Sequence, residues 1–263
     1  MRNPYTGREI IPGGPTYRKL LRLDPEIIML PDGSLTTIKE YLKTFHRLSS
    51  ELIGEGGEAS IYPYGPHKVI RVQDFPEPPE FYERSNTIAT RLSQLPWFIG
   101  YFGLKEFRTV EDTLVIGEVY ERGQTTLGDA IEQRLLSDRD IISVLACILI
   151  GLKEARDTYN FNHRDLHVYN IVVVPNGDYP LEAHINGWGI TEYKYSPRII
   201  DFGSVSITLE DGLTITAASD DVTDRNRDVN NLLTDLIEQV EKDFPTDHPL
   251  VELLTFLQQY QEN

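Results

Sequence analysis

Two polar loops, each joined to a short apolar run, constrain this chain more than anything else in it. His163-Arg164-Asp165-Leu166-His167-Val168-Tyr169-Asn170 leads directly into Ile171-Val172-Val173-Val174, and Arg198-Ile199-Ile200 leads into Asp201-Phe202-Gly203. Short apolar runs rich in β-branched residues and bounded by polar residues read as strands. Paired as a hairpin, they would hold Asn170, at the start of one run, beside Asp201, at the end of the other. A fold of this kind must bring two acids and an amide together at the end of a small sheet.

The rest of the chain supplies both strand and helix patterns. From Leu52-Ile53 the signals are strand-like: a glycine cluster, Ile61-Tyr62, a turn at Tyr64-Gly65-Pro66, and Val69-Ile70-Arg71-Val72. A Pro-rich break at 76–79 precedes an expected helix from Glu80 to about Leu95, and strands are expected over Phe98–Phe107 and Thr113–Tyr120. Glu121-Arg122-Gly123-Gln124 reads as a linker, after which helical periodicity takes over. Ser137-Asp138-Arg139-Asp140 is a capping box for an apolar helix ending near Tyr159. Val229, Leu232, Leu233, Leu236, Ile237 and Val240 form one apolar stripe on a helix starting near Thr223, and a last helix covers Leu250–Tyr260. Residues 1–50 form an N-terminal extension, with turns at Pro12-Gly13-Gly14-Pro15 and Pro31-Asp32-Gly33 and a short helix expected over Thr36–Arg47.

Composition removes several classes of function. A net charge of −16, from 41 acidic and 25 basic residues, argues against binding nucleic acid and reads either as a surface kept soluble or as a field that favours encounter with a cationic protein or peptide. The longest apolar stretch, Ile141–Leu152, is too short to span about 30 Å of hydrocarbon and reads as a buried helix. Met1–Pro15 lacks the apolar core of a secretory signal, and a single cysteine, Cys147, excludes an internal disulfide. An intracellular location, cytoplasmic or nuclear, is therefore expected, without membrane attachment, and the chain is expected to act as a monomer.

From about Leu52 onward these patterns resemble the eukaryotic protein-kinase superfamily. The likeness rests on the His-Arg-Asp run with Asn five residues after Asp165, on Asp201-Phe202-Gly203, and on Gly54-Glu55-Gly56-Gly57-Glu58-Ala59-Ser60-Ile61. This last run lies between two expected strands and resembles the glycine-rich phosphate loop, with Ala59 in place of the third Gly and Ile61 in place of the Val. Within the superfamily the likeness is to haspin-like and large-DNA-virus kinases. His167 stands where most members have Lys, a long excursion separates Pro175 from Ser196, and no Ala-Pro-Glu follows Gly203. The run from Asn3 to Leu20 resembles an adaptor-like motif of large DNA viruses.

The resemblance implies an α+β, bilobal fold, with a small β-rich N-lobe over 51–120 and a mainly helical, shortened C-lobe over 121–263. It implies transfer of the γ-phosphate of ATP, with magnesium, to a Ser or Thr hydroxyl of a protein substrate, here one with a basic, histone-like tail. For a viral protein the location would be the host cell or the virion. Asp165 would orient or deprotonate the hydroxyl, Asn170 and Asp201 would hold metal, and Asp228 would brace the catalytic loop. Gly54, Gly56, Gly57, Ala59, Ile61, Arg71 and Glu118 would contact the nucleotide.

Two positions depart from the family pattern. Arg71 replaces the third-strand Lys that grips the phosphates, and Lys68 lies on the opposite strand face. The helix Glu that should meet that cation is expected at Glu80 or Glu83, or is replaced by Arg84 if Ile88 fills the packing position that follows. Arg164 usually docks a phosphorylated activation loop, and the short segment between Asp201 and Asp228 implies activity without that phosphorylation. Arg71 leaves a second reading open, a pseudokinase that binds nucleotide or a partner without turnover. His167 also suits a small-molecule kinase of the aminoglycoside or choline type, against which the Asp-Phe-Gly and the glycine-rich loop argue.

Overall fold

The structure is a computed structural model that describes residues 9–11, 27–30, 34–55, 59–75, 77–176, 181–185, 188–217, 227–242 and 248–262. Its architecture is α+β, as expected, and among the described residues no helix is long and apolar enough to cross a membrane.

β1 (Ile27–Met29) and β2 (Leu35–Thr37) form a hairpin that leads into α1 (Ile38–Leu42). The helix expected over Thr36–Arg47 is therefore shorter. Thr37 caps α1 by accepting from Glu40 N at 3.1 Å, and after α1 the chain becomes β3 (His46–Arg47). β3 runs parallel to a strand some sixty residues away, and Leu48 beyond it is buried, so tertiary pairing overrides the local helical preference.

The main sheet has six strands: β3, β4 (Gly54–Glu55), β5 (Ala59–Pro63), β6 (Lys68–Gln73), β7 (Tyr101–Arg108) and β8 (Leu114–Glu121), in the order β3-β7-β8-β6-β5-β4. The first strand expected at Leu52-Ile53 starts two residues later, although Ile53 N still donates to Ile61 O at 3.0 Å. In β6 the period-two alternation sends Ile70 and Val72 to one face, where they pack with Leu48, Phe107 and Val119. Val69 and Arg71 take the other face. α2 (Pro79–Leu92), between β6 and β7, buries Ile88, Ala89 and Leu92 in the larger core. The sheet thus takes in His46–Leu48, residues that the sequence reading assigns to the extension.

Past the linker, β9 (Thr125–Thr126) precedes α3 (Leu127–Glu132) and α4 (Asp138–Tyr159). The capping box of α4 is present: Ser137 N donates to Asp140 Oδ2 at 3.0 Å, and Asp140 N donates to Ser137 Oγ at 3.3 Å. A 3-10 turn (Val168–Asn170) enters β10 (Ile171–Pro175), which pairs with β9 and with β13 (Tyr195–Ile199). The expected excursion between the two catalytic strands carries its own hairpin, β11 (Leu181–Ile185) with β12 (Trp188–Tyr193). A further hairpin, β14 (Ser206–Thr208) with β15 (Thr214–Thr216), follows Gly203.

α5 (Arg227–Glu241) and α6 (Pro249–Glu262) complete the described chain. The start expected for α5 near Thr223 lies outside the described residues. Leu232, Leu233, Leu236 and Val240 are each no more than 1% exposed, confirming the stripe; burial of one such side chain stabilises by about 1.5–3 kcal/mol. The two sheets are tied together near residue 99. Ile99 N donates to Ile199 O at 3.1 Å and Ile199 N to Trp97 O at 2.9 Å.

Candidate functional site

The hairpin expected from the sequence forms, with β10 and β13 antiparallel and Ile171 opposite Ile199. Beyond the last pair, Ile200 N donates to Asn170 O at 3.0 Å, so the backbones leading to Asn170 and Asp201 are joined. The buried His163 adds a second tie, its ring Nε2 donating to Ile200 O at 2.9 Å. Residues far apart in the chain are thereby placed at one end of a small sheet.

The 163–170 loop is held from below by α5. The carboxylate of Asp228 is 2% exposed and accepts from His163 N and Arg164 N, both at 2.7 Å. Asp235, two helical turns further on, accepts from Val168 N at 2.7 Å. The bracing implied for Asp228 is therefore present, and Asp235 was missed; its spacing of seven from Asp228 puts it on the same helix face. These bonds hold Arg164 at φ 70° and the neighbouring tie holds Asp201 at φ 59°. Non-glycine residues in the left-handed region cost about 1–3 kcal/mol each and cluster where geometry serves function.

Asn170 is buried and uses its side-chain amide nitrogen twice, donating to Asp165 O at 2.9 Å and to His167 Nε2 at 2.9 Å. That leaves its carbonyl oxygen as the donor atom for a ligand. His167 Nε2 accepts that bond and lies 4.0 Å from Asp165 Oδ2, so the exposed Asp165 carboxylate stays open to an incoming group. Asp201 is partly exposed, with Oδ1 accepting from Gly203 N at 3.3 Å. Asn170 and Asp201 thus offer hard oxygen atoms, the donor type magnesium prefers. Among the described residues no group of three or more His, Cys, Asp or Glu could hold a metal ion.

Arg71 reaches this cluster from the main sheet. Its Nη2 lies 3.5 Å from Asp201 Oδ1, and its Nη1 lies 2.9 Å from Glu118 Oε2. Glu118 is 2% exposed and faces Arg71 across the β6–β8 ladder. Its other oxygen accepts from Ser85 Oγ on α2. The expected helix partner is therefore corrected: Glu80, Glu83 and Arg84 are all exposed, and Arg84 Nε donates to Glu80 O at 3.2 Å. Ile88 is fully buried, and from α2 the Ser85 hydroxyl donates to Glu118. Lys68 lies over the Phe102 ring, 3.8 Å from its centroid.

Burial by itself would lower the Arg71 pKa, but the Glu118 and Asp201 carboxylates outweigh it and hold the guanidinium above its ordinary value. Burial and then Glu118 push the phenols of Tyr120 and Tyr101 up, so both stay protonated. Of the expected nucleotide loop, Gly54 lies in β4, and Ala59 and Ile61 lie in β5, while Gly56 and Gly57 lie outside the described residues. A Cβ on Gly54 would meet Ile61 at 3.7 Å, an ordinary contact, so packing does not demand glycine there.

Two comparisons with known proteins bear on the chain. The 2-cysteine adaptor domain matches residues 1–22, where the adaptor-like run lies, although the chain's one cysteine is Cys147. A protein of Invertebrate iridescent virus 3 named "Probable kinase 098L" is 28% identical over 117 residues, which is 44% of this chain and 22% of that protein. Over less than half its length, then, the chain is similar to about a fifth of a viral protein named as a probable kinase.

Proposed function

We propose that this chain is an ATP- and magnesium-dependent protein kinase acting on Ser or Thr hydroxyls of a basic protein segment, with a β-rich lobe over 51–120 and a helical lobe over 121–263. The observation that carries the reading is the convergence of Arg71 from the main sheet with Asp201, whose strand is tied through Ile200 to Asn170 and the Asp165 loop. A cation, two hard oxygen donors and an open carboxylate are the parts that phosphoryl transfer asks of a protein.

In this reading Arg71 binds phosphate oxygens, and Asn170 and Asp201 hold the metal. Magnesium, when bound, neutralises the charge that develops on the transferring group. Asp165 orients the attacking hydroxyl and takes its proton, its backbone being fixed by Asn170 and its loop by Asp228 and Asp235. The net charge of −16 favours encounter with a cationic substrate.

The test is transfer of labelled γ-phosphate from ATP, with magnesium, to a basic protein. Asp165→Asn should lower turnover by at least about a hundredfold, as expected for loss of a general base. Asp201→Ala should abolish transfer while the protein still folds, and undiminished transfer by either variant sinks the assignment. The contact between Arg71 and Asp201 at 3.5 Å favours one second reading, a nucleotide- or partner-binding protein without turnover. No transfer by the native chain, and its appearance in Arg71→Lys, would select that reading.

A further inference from the structure

We propose that Glu118 is the positioning residue for Arg71, so that the phosphate-gripping cation is held from within the sheet and not by an acid on α2. The inference rests on the kinase reading above and names a residue that acts through Arg71.

The register of β6 against β8 puts Arg71 opposite Glu118, close enough for a direct contact across the strands. The carboxylate is almost fully buried, and a buried charge is tolerated only when paired and hydrogen-bonded. Both its oxygens are used, Oε2 by Arg71 Nη1 at 2.9 Å and Oε1 by Ser85 Oγ. The acids on α2, Glu80 and Glu83, face solvent.

An arginine at 71 and a glutamate at 118 therefore explain each other. A guanidinium presents five donors in a planar fork, so one arm can stay on Glu118 while the other points toward the phosphate side, where Asp201 lies 3.5 Å away. A lysine is a single point charge and cannot divide itself in this way. Without Glu118, the guanidinium would be drawn closer to Asp201, the carboxylate that the metal needs. β8 is hydrogen-bonded to β6 on one side and to β7 on the other, so Glu118 cannot swing away as a helix can. α2 contributes the Ser85 hydroxyl to this pair, and the carboxylate that holds Arg71 comes from β8.

The experiment titrates the full chain with Mg-ATP and, separately, with adenosine by calorimetry. The variants are Glu118→Gln, Ser85→Ala and the double variant Glu118→Gln/Ser85→Glu. Glu118→Gln is expected to weaken Mg-ATP binding by at least about tenfold, as when one partner of a buried charge pair is lost, while adenosine, which has no phosphates, binds as it does to the native chain. Ser85→Ala has the smaller effect. Ser85→Glu returns a carboxylate to Arg71 from the helix and recovers most of the loss. Equal weakening for both ligands, or no weakening for either, overturns the inference and leaves the kinase reading intact. A native chain that binds neither ligand overturns both.

Discussion

Asp228 offers the most direct test of how the loop is built. Its buried carboxylate accepts two backbone N–H groups at 2.7 Å, from His163 and Arg164. A hydrogen bond to a charged group contributes about 1.5–3 kcal/mol, so Asp228→Ala should cost about 3–6 kcal/mol, a large part of the roughly 5–15 kcal/mol by which a domain is stable. Asp228→Asn keeps the shape but offers one acceptor oxygen and turns an amide donor toward the second N–H, for a loss of about 2–3 kcal/mol. With a urea m-value of about 3 kcal/mol/M, the midpoint should fall by about 0.7–1 M for Asn and about 1–2 M for Ala. Urea unfolding followed by circular dichroism reads this directly. An Ala variant no less stable than the Asn variant, or either within about 0.3 M of the native midpoint, would refute the reasoning.

Other outcomes follow from particular contacts. A Cβ on Gly128 would come within 2.6 Å of the Tyr169 ring, so Gly128→Ala should lower stability by about 1–3 kcal/mol in thermal unfolding. Asn160 ends α4 in the left-handed region at φ 47°, and Asn160→Gly should match or exceed native stability, whereas Asn160→Val should fall below it. Burial pushes the Cys147 thiol up from 9.0 to about 12, so the native chain should resist alkylation at pH 9 and react once unfolded in urea. Because the fold favours the protonated thiol, its contribution to stability is complete below about pH 9 and is lost as pH rises toward about 12. Tyr101 and Tyr120 add to the same alkaline loss.

The parts legible in the sequence were those set by neighbours along the chain. The Ser137–Asp140 capping box, the apolar stripe of α5 and the β10–β13 hairpin that joins Asn170 to Asp201 each depend on local period and spacing, and each is present. Asp228 was legible through the resemblance, as the acid that opens a long helix, and Asp235 lies seven residues on along the same helix face.

Tertiary structure decided the rest. The expected helix over Thr36–Arg47 gave way because the β3 backbone pairs with Phe107 and Arg108. The partner of Arg71 could not be read from α2, since it depends on which β8 residue the β6 register brings opposite, and a slip of one residue would turn Glu118 to the other face. The sequence by itself determined an α+β chain with two acid-bearing loops on paired strands, because period and spacing act through near neighbours. Only the folded sheet decided that the cation at Arg71 belongs to Glu118, because an ion pair across 47 residues exists only once the strands have found their register.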